Sequence, residues 1–411
     1  MKILFLTQYF PPEVGAPQNR LFELAIRLQK EGMDVTVLTA MPNYPAMEIH
    51  SKYLGKKYDY EEMDGLKIHR SSIFVSKSKS IVKRLQNYFS FVWSSYWVGK
   101  KKIEKKYDYI FCESPPLFLG ISAYLLCRNK KAKLIFNVSD LWPESAEKLG
   151  LVTNKFFLKL ATILEEFLYN KSSLITGQTQ GIVCNISTRF PNKKVYWLPN
   201  GVDLMLYDPE KIKSNWRIEN GFLENDLILL YAGIIGHAQG LEIILKAANR
   251  TKNHKEIKYL LLGSGPEKDK LIVFKDQMNL NNVFFLNLVP KSEMPKIVKA
   301  IDVALVPLKK LDLFLGAIPS KIFENLAMKK PLLLGVGGEA KELFINNGKA
   351  GLFFEPENDE DLAEKTIYLN NNREKIIEFG ENGRNYVNEF FNRNNIADSF
   401  FKELQKLSKI I

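Results

Sequence analysis

Short apolar runs rich in leucine, isoleucine and valine alternate with amphipathic stretches along the chain. Continuous apolar runs are typical of strands buried on both faces, whereas apolar positions three and four residues apart are typical of helices that pack on a sheet. The pattern predicts strands at 3–7, 35–40, 109–112, 133–138, 174–177 and 195–198, and again at 227–232, 259–263, 283–286, 303–306, 332–335 and 352–354. Repeated strand–helix–strand units build parallel sheets, whose ligand sites lie beyond the carboxyl ends of the strands.

The alternation is interrupted between residues 208 and 225 by a polar, irregular stretch. A chain of 411 residues also exceeds the length at which a single core usually stops growing. We therefore expect two α/β domains, at 1–200 and 201–390, and a C-terminal helix at 391–411 that packs back on the first domain.

Two predicted loops of the first domain carry candidate chemistry. Gly15 follows the first strand, where a residue without a side chain lets backbone approach a ligand, although a tight turn explains a glycine equally well. Asp140 and Glu144 follow the strand at 133–138. Their carboxylates are candidates to orient or deprotonate an acceptor hydroxyl, and the alternative is a helix N-cap followed by a first-turn acid.

Two glycine-containing turns of the second domain precede predicted helices. One holds Gly233, Gly236 and His237, and the other holds Gly263 and Gly265. Both turns can cradle a phosphate or a ribose, and His237 either donates to a phosphate or caps a helix. Neither turn is a complete G-x-G-x-x-G, so a nicotinamide cofactor is not supported.

The most informative stretch runs from 316 to 328. Apolar residues at 322, 323, 326 and 327 predict a short helix with Pro319 in its first turn. The unpaired amides of a helix N-terminus attract anions, Lys321 adds a positive charge, and the Glu324 carboxylate can accept hydrogen bonds from a diol. The candidate binding residues are Gly316, Ala317, Ile318, Pro319, Ser320, Lys321 and Glu324. The alternative is a solvated amphipathic face.

Charge is concentrated in residues 77–106, which are rich in lysine and aromatic residues, in a chain whose net charge is +12. Positions 81, 85, 88, 89, 92 and 96 fall on one face of a predicted helix. A basic, aromatic-rich helix is typical of one that lies on an anionic membrane surface, and the alternative is a core helix with charged ends. Nucleic acid is not favoured, because no recognisable nucleic-acid motif accompanies these residues.

Other sequence features bear on compartment and metal chemistry. An odd number of cysteines, three, and a chain that begins on a strand pattern predict a cytoplasmic protein, without a secretion signal or membrane span. Asp359-Glu360-Asp361 matches the D-x-D of metal-dependent sugar transferases. We interpret it instead as the acidic first turn of a helix and expect no metal site.

Together these stretches carry a family resemblance. The residues concerned lie at 7–20, 40–45, 140–145, 198–203, 231–241, 263–266 and 316–327. Over its whole length the chain resembles the retaining glycosyltransferases of family 4, with the GT-B architecture of two Rossmann-like domains facing across a cleft. Within that family it is similar to bacterial O-antigen and capsule L-fucosamine (N-acetylfucosamine) transferases.

The resemblance implies transfer of a sugar from a UDP-sugar to a polyprenyl-diphosphate-linked saccharide at the cytoplasmic face of the membrane, without a cofactor. It implies an acceptor-binding first domain and a second domain that binds the nucleotide sugar. The family's E-x7-E pattern ends at Glu324, which would hold the ribose, but Gly316 stands where its first Glu is expected. Alternatives are a sugar-nucleotide epimerase of the same fold and a non-catalytic membrane or nucleic-acid binding protein.

The resemblance is also incomplete at the donor phosphates. Ile234 and Gln239 stand where many members have an Arg and a Lys. Lys321, His237 and helix N-termini would then meet the phosphate charge. This adds Lys321 to the two acids of the first domain, so the candidate catalytic residues are Asp140, Lys321 and Glu144.

Overall fold

Two β-sheets organise the chain in the computed structural model, which describes residues 1–13, 15–44, 46–78, 80–148, 150 and 152–409. The contacts divide it into two compact units. Unit 1 is Met1–Asn200 together with the segment that begins at Arg393, and unit 2 is Gly201–Asn392.

The sheet of unit 1 has the strand order β3-β4-β2-β1-β5-β6-β7-β8, and β3 is antiparallel to β4 while the other neighbours are parallel. Its strands are β1 Lys2–Leu6, β2 Asp34–Ala40, β3 Tyr58–Met63, β4 Leu66–Ser71, β5 Tyr109–Ser114, β6 Lys133–Val138, β7 Leu174–Gly177 and β8 Val195–Trp197. Its helices are α1 Ala16–Lys30, α2 Ile81–Lys102, α3 Leu119–Lys130, α4 Glu144–Lys148, α5 Lys155–Lys171 and α6 Gln180–Arg189.

The sheet of unit 2 is parallel, with the order β11-β10-β9-β12-β13-β14. Its strands are β9 Leu227–Ala232, β10 Ile257–Leu262, β11 Val283–Leu286, β12 Val303–Pro307, β13 Leu332–Gly335 and β14 Gly351–Phe353. Its helices are α7 Trp216–Glu219, α8 Glu242–Arg250, α9 Lys268–Gln277, α10 Met294–Ala300, α11 Lys321–Ala327, α12 Glu339–Lys341, α13 Asp359–Asn371 and α14 Arg373–Phe390. The last helix of the chain, α15 Arg393–Lys409, lies in unit 1.

Both faces of the unit 1 sheet are covered, which explains why its strands are continuous apolar runs. Along β1, Ile3 and Phe5 pack with α1 and α15, whereas Leu4 and Leu6 pack with α2, α3, α5 and α6. α15 is held by Phe400, Leu404 and Leu407 in the first of these clusters. The Tyr109 hydroxyl donates to the Leu404 carbonyl at 2.8 Å.

The β3–β4 hairpin is absent from the predictions. Its outer strand, YDYEEM, is the edge of the sheet, where polar side chains can stay in solvent. The strand therefore has no apolar run from which it could be predicted. The inner strand carries Arg70, which is fully buried and donates to Glu61 Oε1 across the hairpin at 2.5 Å. The pairing of these strands, and not their composition, makes them part of the sheet.

α2 buries one face against the unit 1 sheet and leaves the other exposed, and its buried face agrees only in part with the apolar face predicted from the sequence. The buried residues are Asn87, Phe91, Val92, Ser95 and Gly99. Of the predicted positions, only Val92 is buried, and Leu85, Tyr88, Phe89 and Tyr96 are half-buried. The side chain of Ile81 and residue Lys79 lie outside the described residues. The small residues Ser95 and Gly99 face inward because α3 packs closely there: a Cβ added to Gly99 would lie 2.8 Å from Leu126 Cδ2.

The D-x-D interpretation as a helix start is confirmed. Asp359 is the first residue of α13, and the side chain of Asn358 accepts from the amides of Glu360 and Asp361, both at 3.1 Å. Asp359 pairs with Arg250 at 2.5 Å. These acids therefore complete a helix N-terminus.

Candidate functional site

Two glycine turns meet at the carboxyl ends of the adjacent strands β9 and β10 in unit 2. The amide of Gly233 donates to the Leu262 carbonyl at 2.9 Å. Gly233 and Gly263 both have positive φ, +145° and +149°, and a Cβ added to Gly263 would lie 1.9 Å from the Gly233 carbonyl oxygen. Any side chain at position 263 would therefore separate the turns, so glycine is required there.

The two turns also approach each other closely through backbone at their next residues. The amide of Ile235 donates to the Ser264 carbonyl at 2.9 Å, and a Cβ on Gly265 would lie 2.3 Å from the Ile235 carbonyl oxygen. Gly236 is buried and precedes the 3-10 turn His237–Gln239. The result is a platform of backbone, with few side chains, at this edge of the sheet.

Lys321 reaches this platform from α11. Its ammonium lies 3.6 Å from the ring centroid of Tyr231 and 3.0 Å from the position that a Cβ on Gly233 would occupy. The Tyr231 hydroxyl donates to the Ile234 carbonyl at 2.6 Å, which fixes the ring. We call Lys321, Tyr231, Gly233 and Gly263 the Lys321 cluster.

Burial lowers the pKa of Lys321 to about 7, and the carboxylate of Glu324 opposes this shift. Glu324 lies in the first turn of α11 and is half-buried. A lysine that is only partly protonated near neutral pH gains most when an anion arrives, because the anion stabilises its charged form. The cluster is therefore suited to a phosphate group.

The start of α11 differs from the prediction. The helix begins at Lys321, so Pro319 precedes it, and α11 has only 7 residues. The amides of Ile322 and Phe323 donate to the carbonyls of Pro319 and Ser320 at 3.1 and 3.2 Å. Tight turns thus use two of the amides that often stay unpaired at a helix N-terminus, so fewer remain for an anion.

The segment from Gly316 to Ser320 is half-buried and leads into this helix. Gly316 ends the 3-10 turn Asp312–Gly316, and the Ala317 amide donates to Phe314 at 3.0 Å. Ile318 and Pro319 follow without forming regular structure. A Cβ added to Gly316 meets no atom within 4 Å, so the space for a larger side chain exists at this position.

His237 lies at the far end of the first glycine turn and is exposed. The ammonium of Lys309 contacts its ring nitrogens at 2.8 and 3.2 Å, and the Lys309 amide donates to the Ala238 carbonyl at 3.0 Å. Sequence reasoning did not select Lys309. Its position directly beyond the carboxyl end of β12 is the signal that could have identified it.

In unit 1, Gly15 is the N-cap of α1 and has an extended backbone, with φ −179°. The loop before it is tied to the loop after β2 by the buried carboxylate of Glu13. One Glu13 oxygen accepts from the amides of Asn43 and Tyr44, at 2.7 and 2.8 Å. Burial raises the pKa of Glu13, and these backbone donors oppose the shift. Both loops border a cavity of about 860 Å³.

A buried polar network lies next to these loops, and sequence reasoning missed it. Arg20 of α1 donates to Glu113 Oε1 at 2.5 Å and to Ser139 Oγ at 2.8 Å. Arg20 is 9% exposed and Glu113 is 3% exposed. The Arg20 network consists of Arg20, Glu113, Asn137, Ser139, Thr176 and Gln178, all joined by side-chain hydrogen bonds. These residues come from α1 and from the carboxyl ends of β5, β6 and β7, which are far apart in sequence, so no local spacing indicates the network.

Asp140 directly follows this network and is half-buried. Burial raises its pKa, the Ser145 hydroxyl that donates to it at 2.8 Å opposes the shift, and the nearby Glu144 carboxylate adds to it. Glu144 lies in the first turn of α4 and pairs with Lys148 at 2.7 Å. The two acids are thus close enough to interact electrostatically.

The predicted residues fall into two groups. Gly233, Gly263, Gly265 and Lys321 come together at the edge of the unit 2 sheet, with His237 at the end of the same turn. Gly15, Asp140 and Glu144 lie beyond the carboxyl ends of β1 and β6 in unit 1, with Gly15 as the N-cap of α1 and Glu144 in the first turn of α4. The first group offers backbone and a cation, which suit an anion. The second offers a carboxyl group of raised pKa, which suits a hydroxyl.

Comparisons with known proteins match the two parts of the chain to two different families. Residues 18–206 match the family described as Glycosyltransferase Family 4, and residues 212–386 match the family described as Glycosyl transferases group 1. WcaI of Escherichia coli strain K12, named as a glycosyl transferase of colanic acid biosynthesis, is 27% identical over 338 residues, which cover 80% of this chain and 81% of WcaI.

Solved structures share the fold over the whole chain. Sucrose-phosphate synthase from Thermosynechococcus elongatus has a TM-score of 0.75 at 16% identity, with 99% of this chain and 98% of that chain covered. HepE of Anabaena, in complex with UDP and glucose, has a TM-score of 0.72 at 17% identity, with 99% of this chain and 100% of that chain covered. The expected fold, with two Rossmann-like domains, is confirmed.

Proposed function

Since this chain is a glycosyltransferase that joins a family 4 domain to a group 1 domain, we propose that it moves a sugar from a UDP-sugar to a lipid-linked saccharide, with retention at the anomeric carbon. The name of WcaI supports a role in polysaccharide biosynthesis, and the product we favour is a surface polysaccharide such as an O-antigen or capsule. The sugar we favour is an N-acetylated deoxyhexosamine such as N-acetylfucosamine.

The Lys321 cluster is the observation that carries the proposal. Cleavage of the bond between sugar and nucleotide leaves negative charge on the departing diphosphate, and preorganised donors that meet this charge lower the barrier. Lys321 lies against a glycine turn that lets a diphosphate approach the backbone closely. Glu324, one turn further along α11, is suited to the two hydroxyls of a ribose. The UDP bound by HepE supports a uridine nucleotide.

Asp140 is the residue of unit 1 that we propose for the acceptor. A carboxyl group whose pKa is raised by burial can accept a proton from, or orient, a saccharide hydroxyl near neutral pH. The Ser145 hydroxyl and the Leu141 backbone both hydrogen-bond to this carboxyl group and hold it in place. Glu144, whose carboxylate lies near Asp140, is the second acid that we propose for the acceptor.

In the proposed reaction neither a metal ion nor a cofactor takes part, because Lys321 supplies positive charge that can meet the diphosphate. We place the reaction at the cytoplasmic face of the membrane, where the lipid-linked acceptor lies. Among the described helices, none combines the length and the hydropathy required to cross a bilayer.

A mass-spectrometric screen tests the proposal. The purified chain is incubated with UDP-N-acetyl sugars and a polyprenyl-diphosphate-linked saccharide, and the acceptor is expected to gain the mass of one sugar while UDP is released. A second arm omits the acceptor. Accumulation of an epimerised UDP-sugar in that arm, without transfer in the first, would replace the proposed reaction by that of an epimerase.

A further inference from the structure

The outward face of α5 carries an exposed apolar stripe. Phe156, Leu160, Ile163 and Phe167 are 72%, 50%, 53% and 38% exposed. Their spacing of four, three and four residues places them in one line along the helix. Isolated apolar residues are common on protein surfaces, but an aligned row of this length is not.

The stripe does not contribute to the core. The opposite face of α5 is also apolar, and Leu158, Ala161 and Leu168 are buried there against the unit 1 sheet. A helix that packs on a sheet needs only one apolar face, and its outer face is normally polar. The second apolar face of α5 is therefore surplus to folding and indicates a contact outside the chain.

The stripe belongs to a larger surface. α3 packs against both α2 and α5: Ser95 and Ser122 hydroxyls lie 2.9 Å apart, and the rings of Tyr124 and Phe167 have centroids 5.0 Å apart. All three helices bury residues in the same cluster on one side of the sheet. We call them the α2–α3–α5 layer. On its outer side α2 adds two exposed tryptophans, Trp93 and Trp97.

Positive charge borders these apolar residues. Lys100 and Lys101 lie over the Trp97 ring at 5.3 and 5.0 Å, and Lys171 lies over the Phe167 ring at 5.8 Å. The exposed basic residues of the layer are Lys83, Arg84, Lys100, Lys101, Lys102, Arg128, Lys155, Lys159 and Lys171. Glu166 is the exposed acid among the described residues of these helices. Apolar and aromatic side chains surrounded by lysines match the headgroup region of an anionic bilayer.

The geometry points to an anionic lipid surface as the partner of this layer, with the α5 stripe and the two α2 tryptophans entering the headgroup region and the lysines contacting lipid phosphates. This assigns the membrane contact mainly to α5, which the sequence did not single out, and only partly to residues 77–106. The inference rests on the proposed function, because a lipid-linked acceptor is what makes this location useful.

Vesicle flotation of the full chain tests the inference. We expect binding to phosphatidylcholine vesicles that contain about 30 mol% phosphatidylglycerol, weaker binding without it, and loss of binding as salt rises. The variant Phe156→Gln, Leu160→Gln, Ile163→Gln should lower the partition coefficient at least about tenfold. Phe167 is left intact because it packs on Tyr124.

A matched control uses exposed apolar residues of unit 2. Ile218, Leu223 and Ile377 are 78%, 65% and 69% exposed, and their triple substitution by glutamine should leave vesicle binding unchanged. Equal binding of the stripe variant and this control would overturn the inference. A second result would also overturn it: the wild-type chain does not bind vesicles and forms a dimer in sedimentation, and the stripe variant does not form that dimer.

Affinity for UDP separates this inference from the proposed function. The stripe variant should bind UDP as the wild type does, since the Lys321 cluster is in unit 2. A wild type that binds vesicles but not UDP would contradict the proposed donor site and leave the lipid contact standing. Circular dichroism of the variants confirms that each is folded.

Discussion

The carboxyl-end edges of the two sheets are built in opposite ways. In unit 1, the Arg20 network fills the edge with a buried ion pair whose members also bond to serine and amide side chains. In unit 2, the same edge is glycine backbone, and its cation, Lys321, lies on a tyrosine ring with Glu324 as its electrostatic partner.

The difference indicates a division of labour. Buried charges that satisfy one another hold loops in place and gain little from a ligand. A lysine whose pKa is lowered by burial gains stability when an anion binds beside it. In unit 1 the buried charges next to Asp140 are therefore already paired, whereas in unit 2 the Lys321 ammonium lies against a ring and a glycine turn, where the proposed function places an anion. The following experiments test that contrast, from the largest expected effect to the smallest.

Arg20→Ala should give the largest loss of stability, about 3 to 5 kcal/mol, because it leaves the buried carboxylate of Glu113 without its cation. Urea unfolding followed by tryptophan fluorescence measures it, since four of the five tryptophans lie in unit 1. Lys402→Ala, which removes an exposed ion pair with Asp398 in α15, is the control and should cause no measurable change. If both variants unfold at the same urea concentration, the network does not stabilise unit 1.

Lys321→Ala should lower turnover by about 10- to 1,000-fold, the range for the loss of one preorganised donor to a developing anion. Steady-state kinetics with the donor identified by the screen measures it. Lys341→Ala is a matched control, because Lys341 also lies over an aromatic ring, that of Phe353 at 3.9 Å, but belongs to α12. Equal activity of the two variants would remove Lys321 from the mechanism.

Donor binding should weaken as pH rises above about 7, by at most about tenfold per pH unit. The pKa of Lys321 is lowered from 10.5 to about 7, so the free protein loses this proton above pH 7, while the bound diphosphate favours the protonated form. Calorimetry with UDP-glucose between pH 6.5 and 8.5 measures the affinity and the proton uptake. In a Lys321→Met variant, the affinity should not depend on pH and binding should take up no proton. If the variant has the same pH profile as the wild type, Lys321 is not the group that links binding to pH.

The lowered pKa of Lys321 also makes the free energy of unfolding depend on pH. Because the folded pKa of Lys321 lies below the unfolded value, the unfolded chain binds more protons between about pH 7 and 10.5. The contribution of this group to stability therefore increases with pH across that window. In unit 1, the carboxyl groups of Glu13 and Asp140 have raised pKa values, so their contributions also depend on pH, but at the acidic end.

Gly316→Glu should have the smallest effect, a change in stability within about 0.5 kcal/mol, because the added side chain enters open space. It restores the carboxylate that the family pattern leads us to expect at this position. Gly338→Glu is the contrasting variant: its Cβ would lie 2.0 Å from the Leu315 carbonyl oxygen, at a φ of +64°, and it should unfold more readily. Thermal unfolding of both tests whether position 316 is open.

Local patterns predicted much of the fold. The apolar runs identified β1, β2 and β5–β14 to within a residue or two at their ends, because a strand buried on both faces must be apolar throughout. The buried face of α11, with Ile322, Phe323, Leu326 and Ala327, also follows from spacing alone. So does the acidic start of α13 at Asp359.

Other features depended on contacts between distant residues. Arg20 and Glu113 are 93 positions apart, and nothing near either residue indicates the other. The edge strand β3 has no apolar run, so only its pairing with β4 defines it. α2 and α5 are apolar on more than one side, and the spacing of their residues cannot specify which side meets the sheet.

The sequence by itself determined where the apolar strands form and which turns lack side chains, because those properties depend on the residues within one segment. The tertiary structure decided which charges are paired, that Lys321 meets Tyr231 and Gly233, and that α5 keeps an apolar face outside the core. These outcomes depend on packing, which joins segments that share no local signal.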